Sequence, residues 1–320
     1  VSFVHDDPEF DDLLQIVADE RRLSRGLIEK DYWVTHTLWA LHFAGFDVWF
    51  KGGTSLSKGF GLIQRFSEDL DLKIEPGAVT ALPKVSRWKS GGTKAIAERR
   101  TYFEKLADLL PVPGAQVALD PDTTDRTWRG ANIRVTYPGR HLADVKGVMT
   151  PFVLLEVGSA RVTPFVACDL TSFAHEKLEA QGQFGAFDDN RPKDVRCVHP
   201  LVTLLEKLDA LHRRFPNEEA EPATFVRHYE DAARIIAAAK KLPPLAEHAD
   251  VRGLANEMLA QKQTAALPTS TDPCLAPDDG ARWKAMRGAH AAINQMFWGP
   301  RIALDDACVT IREWTAANFA

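Results

Sequence analysis

Two carboxylates two positions apart, Asp69 and Asp71 in FSEDLDLKI, follow a run, FKGGTSLSK, that holds adjacent glycines, several hydroxyls and two lysines. In an extended segment residues i and i+2 point to the same side, so Asp69 and Asp71 share one face while Leu70 and Leu72 take the other. Paired carboxylates repel each other, and a divalent cation relieves the repulsion; Mg²⁺ takes hard oxygen ligands and commonly bridges protein acids to substrate phosphates. Gly52 and Gly53 suit the other end of such a ligand. A glycine turn that opens a helix offers backbone N–H groups to phosphate oxygens, with Thr54, Ser55, Ser57 and Lys58 at hand. Together these residue types could grip a metal-bound triphosphate from both ends.

The elements that must position them can be read from periodicity. Asp47 to Phe50 is short, apolar and aromatic and runs into the glycines, as a buried strand enters a tight turn. Thr54 or Ser55 can cap a helix reaching about Gln64, and FSEDLDLKI alternates as a strand does. The predicted order is strand, glycine turn, helix, strand. Upstream, apolar residues at helical spacing from Phe10 to His42 predict two helices separated near Ser24 to Gly26. Downstream, Pro76 to Pro83 reads as a loop and Lys94 to Leu110 as a basic amphipathic helix. VALDP, ANIRVTYP and FVLLEVGSARVTPFVACDL then continue a sheet to about residue 170. Beyond His199 the pattern turns helical over Thr203 to Phe215, Phe225 to Lys240, Asp250 to Gln261 and Trp283 to Met296, with Thr264 to Gly280 the most loop-like interval. The expected fold is therefore α+β: a lobe of mixed sheet and flanking helices over 1–198, then a mainly helical lobe over 199–320.

At 320 residues the chain suits two domains. A composition of 45% apolar and 26% charged residues is ordinary for a globular protein and argues against disorder. No apolar run approaches a spanning helix, and VSFVHDDPEFDDLL is too acidic for a signal peptide, so no membrane partner and a cytoplasmic location are expected. Cys168, Cys197, Cys274 and Cys308 are scattered, without metal-type spacing, and read as reduced and structural. A net charge of −5 argues against a chain coated in nucleic-acid-binding charge, though not against a local basic groove. Lys94, Arg99, Arg100 and Lys105, then Arg126, Arg129, Arg134 and Arg140 interleaved with Trp128 and Tyr137, could track an RNA backbone or form a solvated face.

The strand, Gly-Gly-Thr-Ser, helix, strand with Asp-x-Asp resembles the defining motif of the polymerase-β-like nucleotidyltransferase superfamily. More narrowly, KGGTSLSK followed by RFSEDLDL resembles the AbiEii/AbiGii-type toxin nucleotidyltransferases of abortive-infection and toxin–antitoxin systems. IEKDYWVT (28–35), LLEVGSAR (154–161), HPLVTLLEKLDALHRRF (199–215) and RHYEDAARI (227–235) are similar to further elements of that family, in order. Glu230 and Ala232 depart from the last of these motifs, and nothing after about residue 240 matches.

The resemblance implies an NTP substrate and a divalent cofactor, Mg²⁺ with Mn²⁺ as the alternative, held by Asp69, Asp71 and a third carboxylate. Glu156 in LLEVG is the candidate for that third place and Asp169 the runner-up. Gly52, Gly53, Thr54, Ser55, Lys58 and Ser67 are assigned to the nucleotide. Lys207 lies on the flank of an apolar stripe, from which a lysine can reach a cleft or merely cover the core; the resemblance favours a catalytic role. Asp231 shares a helix face with Arg227 and Arg234, where periodicity suggests a surface pair. The resemblance instead implies an active-site acid, orienting Lys207 or serving as base. His175, His199 and His212 read as structural or capping groups.

The implied activity is transfer of an NMP from an NTP to an acceptor hydroxyl with release of pyrophosphate. The acceptor implied is the tRNA 3′ end, and the protein would be a toxin with a separate antitoxin, active in antiviral defence. The alternatives are transfer to a protein or small molecule, or a nucleotide-binding protein without turnover.

Overall fold

The computed structural model describes residues 2–67, 69–120, 125–145 and 149–319. Glu68 of FSEDLDLKI and Pro121 of VALDP lie outside the described residues. Two compact units divide the chain: residues 1–59, 67–162 and 167–197 form the first, and 60–66, 163–166 and 198–320 the second.

A mixed seven-stranded sheet organises the fold, in the order β3-β4-β5-β2-β1-β7-β6. Its strands are β1 (Asp47–Lys51), β2 (Asp69–Glu75), β3 (Gln116–Asp120), β4 (Gly130–Thr136), β5 (Val153–Gly158), β6 (Phe165–Cys168) and β7 (Val195–Val198). β2 runs antiparallel to β1 and parallel to β5. Along β2 burial alternates, with Leu70, Leu72 and Ile74 in the core and Asp69, Asp71, Lys73 and Glu75 on the other face. β4 and β5 repeat the pattern through Ala131, Ile133 and Val135, and Val153, Leu155 and Val157.

The first unit also carries α1 (Phe10–Arg21), α2 (Arg25–Phe43), α3 (Gly52–Lys58), α4 (Thr93–Leu109) and α5 (Phe173–Ala180). α2, capped by Ser24, contacts β1 and β5 and is buried nearly all round. A helix so placed can keep polar side chains only if each finds a partner. Glu29 accepts from the Arg140 and His141 amides, and Lys30 donates to the Thr150 carbonyl. α3 stops at Lys58, well short of Gln64, with Gly59 at its C-cap; three residues past its end Gly61 turns the chain with a left-handed φ of +62°. Periodicity does not predict α5. It is short, and Ser172 caps it by accepting the His175 amide.

Behind α2 lies a buried polar chain. Asn190 donates to the Tyr32 hydroxyl and lies 2.7 Å from His36 Nδ1, while its carbonyl meets His175 Nε2 at 2.7 Å. His36 Nε2 lies 2.9 Å from the Pro113 carbonyl, and the Ser172 hydroxyl 2.8 Å from His175 Nδ1. One neutral tautomer of each imidazole satisfies every contact. Burial pushes His36 down to about 4 and His175 to about 3. The unfolded chain therefore takes up protons first as pH falls, so this stability is complete above the ordinary histidine value of 6.5 and drains away toward pH 4. Each imidazole is expected to cost on the order of 2 kcal/mol by pH 5. Urea unfolding at pH 7, 6 and 5 reads it; a midpoint that stays constant over that range would refute the assignment.

The second unit holds α6 (Pro200–Arg214), α7 (Arg227–Ala238), α8 (Val251–Ala260), α9 (Ala281–Ala292) and α10 (Leu304–Phe319). α7 packs between α6 and α10. Periodicity does not predict α10, because small residues disguise its stripe; Leu304, Ala307, Cys308, Ile311 and Thr315 are buried at helical spacing. The loop-like interval 264–280 is anchored: Asp209 accepts from the Ala265 and Ala266 amides, and Cys274 and Leu275 are buried. Residues 64–66 are tied to 296–298 by a bridge between Arg65 and Phe297, by Phe66 N to Met296 O, and by Trp298 N to Gln64 O.

Three cations of the basic stretches are engaged within the protein. Arg99 is buried and donates to the carbonyls of Thr127, Arg87 and Ser90, so it organises a loop. Arg100 pairs with Glu104 and Arg134 with Asp120.

Candidate active site

Pairing register places the carboxylates of the first unit. Asp71 stands opposite Lys51 of β1 on one side and Glu156 of β5 on the other, and Glu156 stands opposite Asn132 of β4. Register partners project to the same face about 5 Å apart. Lys51, Asp71, Glu156 and Asn132 thus form one polar row, with Asp69 two residues along β2 on the same face. Asp69 and Asp71 are half-buried and Glu156 is exposed. Asp169, the alternative third acid, follows β6, three strands from β2, and accepts the Asp194 amide.

Gly52 is fixed by Asp71. Its φ of +76° is left-handed, and a Cβ built on it would lie 1.8 Å from Asp71 Oδ2. Only glycine lets the turn pass under that carboxylate. Thr54 donates its hydroxyl to the Asp69 carbonyl at 2.9 Å, tying the glycine-led helix to β2. Gly53 and Ser55 are buried in the same turn, and Ser67 is half-buried just before β2. The donor set of hard carboxylate oxygens fits a divalent cation of the Mg²⁺ type. Among the described residues no three His, Cys, Asp or Glu side chains are gathered around one point. Mg²⁺ requires only one or two protein carboxylates, its other positions going to water and phosphate.

Lys58 is placed otherwise than the phosphate assignment supposes. Its ammonium lies 2.5 Å from Asp31 Oδ1 and donates to Thr35 Oγ1 and the Thr171 carbonyl. Asp31 is 6% exposed. Removing Lys58 would leave that buried carboxylate, among the described residues, with the Phe173 amide as its remaining hydrogen-bond donor, so Lys58→Met is expected to cost about 3–5 kcal/mol in urea unfolding. A lysine serving phosphate alone would leave stability unchanged and raise the KM for NTP.

In the second unit, Asp231 is not in a surface pair. It is 1% exposed and receives the Arg65 guanidinium at both oxygens, Nε to Oδ1 at 2.8 Å and Nη2 to Oδ2 at 2.6 Å. Lys207 Nζ lies 2.8 Å from Asp231 Oδ2 and 3.4 Å from His228 Nδ1. Arg234 pairs with Glu230, which also takes Arg301. Burial alone would raise the Asp231 carboxyl; the two cations outweigh it and hold the group far below the usual carboxylate range. Burial lowers the Lys207 ammonium, with Asp231 opposing. It also drives the His228 imidazole well down, and Lys207 adds to that, so His228 is a neutral acceptor. Periodicity could place Asp231 and Lys207 on their helices; it gave no sign of Arg65, His228 or Lys51.

A mixed sheet presenting paired aspartates beside a glycine turn, with a helical second unit, is the architecture of a nucleotidyltransferase. The chain belongs to the family described as nucleotidyl transferase AbiEii toxin, type IV toxin–antitoxin system, whose profile matches residues 38–306. Among solved structures, MenT4, a nucleotidyltransferase toxin from Mycobacterium tuberculosis H37Rv, is similar over 95% of this chain and 98% of its own, at 16% identity and a TM-score of 0.39. No curated protein sequence matches the chain significantly. Among the described residues no helix is long and apolar enough to cross a membrane.

Proposed function

We propose that this enzyme transfers a nucleoside monophosphate from an NTP to the terminal hydroxyl of a tRNA 3′ end, releasing pyrophosphate, with Mg²⁺ or Mn²⁺ bound. The observation that carries the reading is the row Lys51, Asp71 and Glu156, with Gly52 packed under the Asp71 carboxylate. Asp69 and Asp71 hold the cation. When bound, it neutralises triphosphate charge and favours ionisation of the attacking hydroxyl. Glu156, exposed and next to Asp71, receives the acceptor's proton. The backbone amides of Gly52 to Ser55 seat the phosphates with the Ser67 hydroxyl beside them, while Thr54 and Lys58 hold that turn in place. By family resemblance Lys207 is assigned a catalytic role as a cation. Most of the catalysis is alignment and electrostatics.

Family membership supports the toxin role and a separately encoded antitoxin; a blocked tRNA end would stop translation in the cytoplasm and abort a phage infection. The test is incubation of purified protein with each labelled NTP, with total tRNA or protein extract, with and without EDTA. Label on tRNA that EDTA abolishes is expected. Label on protein would move the acceptor to a side chain, and no transfer to either would sink the reading.

A further inference from the structure

We propose that Arg65 is a positioning residue for transfer: by gripping both oxygens of Asp231 it makes Asp231 the fixed support that aims the Lys207 ammonium. The inference rests on the proposed role of Lys207 and adds a residue to it. Arg65 lies 166 positions from Asp231 in sequence and is 2% exposed. Its remaining amino group donates to the Phe66 carbonyl at 2.8 Å, and residues 64–66 are laced to 296–298 by backbone bonds and by the edge-on contact of Phe66 with Trp298. The guanidinium therefore has little freedom. A planar fork meeting a carboxylate edge to edge fixes both the position and the rotation of that carboxylate.

With its rotation fixed, Asp231 offers Oδ2 to Lys207 in one direction, and His228 Nδ1 accepts from a second. Two of the three ammonium protons are spoken for, and the third direction is thereby set. The arrangement also decides between the two roles open to Asp231. A carboxylate held between two cations, with both oxygens engaged, is too weak a base to take the acceptor's proton, so it orients.

The test uses the full chain carrying Arg65→Lys and Arg65→Met. Lysine keeps the charge, and hence the fold, yet cannot hold both oxygens. We expect Arg65→Lys to melt within a few degrees of wild type while kcat falls about tenfold or more and the KM for NTP changes less than threefold. In Arg65→Met the alkaline limb of the pH–rate profile should move upward, because a cation that disfavours the Lys207 ammonium is gone. NMR titration of the Lys207 side chain in the nucleotide-free protein reads the same upward shift with no turnover needed. A wild type that transfers nothing would defeat the functional reading and leave this titration decisive. Wild-type kcat in Arg65→Lys, or an unmoved Lys207 titration in Arg65→Met, would overturn the proposal; if Arg65→Met does not fold, the Arg65→Lys result decides alone.

Discussion

Asparagine at Asp71 is expected to leave a folded protein whose labelled-nucleotide transfer has fallen on the order of 1,000-fold or more. The substitution keeps shape and removes charge. Asp71 is half-buried on the polar face of β2, so no core contact is lost, and its neighbours in the row are Lys51 and Glu156. Losing a like charge beside Glu156 and Asp69 offsets losing the attraction to Lys51, and stability should change by a few tenths of a kcal/mol. The cation, by contrast, loses an anionic oxygen for a neutral amide. Incorporation of label into acceptor, read alongside a thermal melt, separates the two effects. Near-normal transfer in Asp71→Asn would remove this residue from the metal assignment.

Gly52→Ala should damage both fold and activity. An L-residue at φ +76° costs about 1–2 kcal/mol for the backbone alone. The new methyl would sit 1.8 Å from Asp71 Oδ2, so the carboxylate must swing away or the turn must shift. We expect a loss of roughly 2–4 kcal/mol in urea unfolding and a fall in transfer of about 100-fold or more. Gly61 supplies the control. Its φ is +62°, and a Cβ there meets nothing within 4 Å, so Gly61→Ala pays for the backbone only and should keep transfer. Adding Asp71→Ala to Gly52→Ala should recover part of the lost stability, since the clash is gone. Equal stability of Gly52→Ala and wild type would rule out the close approach.

What could be read from the chain was local. The alternation through β2, the glycines ahead of it and the stripes of α6 and α7 all lie within short windows, and sequence supplied them. The pairing of Asp71 with Glu156 needed the order of strands, which no window contains. Lys58 illustrates a different limit. A lysine after a glycine turn looks like a phosphate ligand until Asp31, on the preceding long helix, claims it. Asp231 likewise reads as a surface acid by helical periodicity. Its polar face is buried because Arg65 and Lys207 satisfy it there, and charge complementarity of that kind leaves no periodic trace.

The short segment 60–66 interrupts the first unit in sequence but belongs to the second. The two units are thus not exchangeable cassettes. A fragment beginning at residue 199 would inherit Lys207 and Asp231 without the guanidinium that Asp231 grips, and a chimera joined there would pair one parent's acid with another parent's arginine. A truncation that is to keep this pair must therefore carry residues 60–66 along with the helical segment.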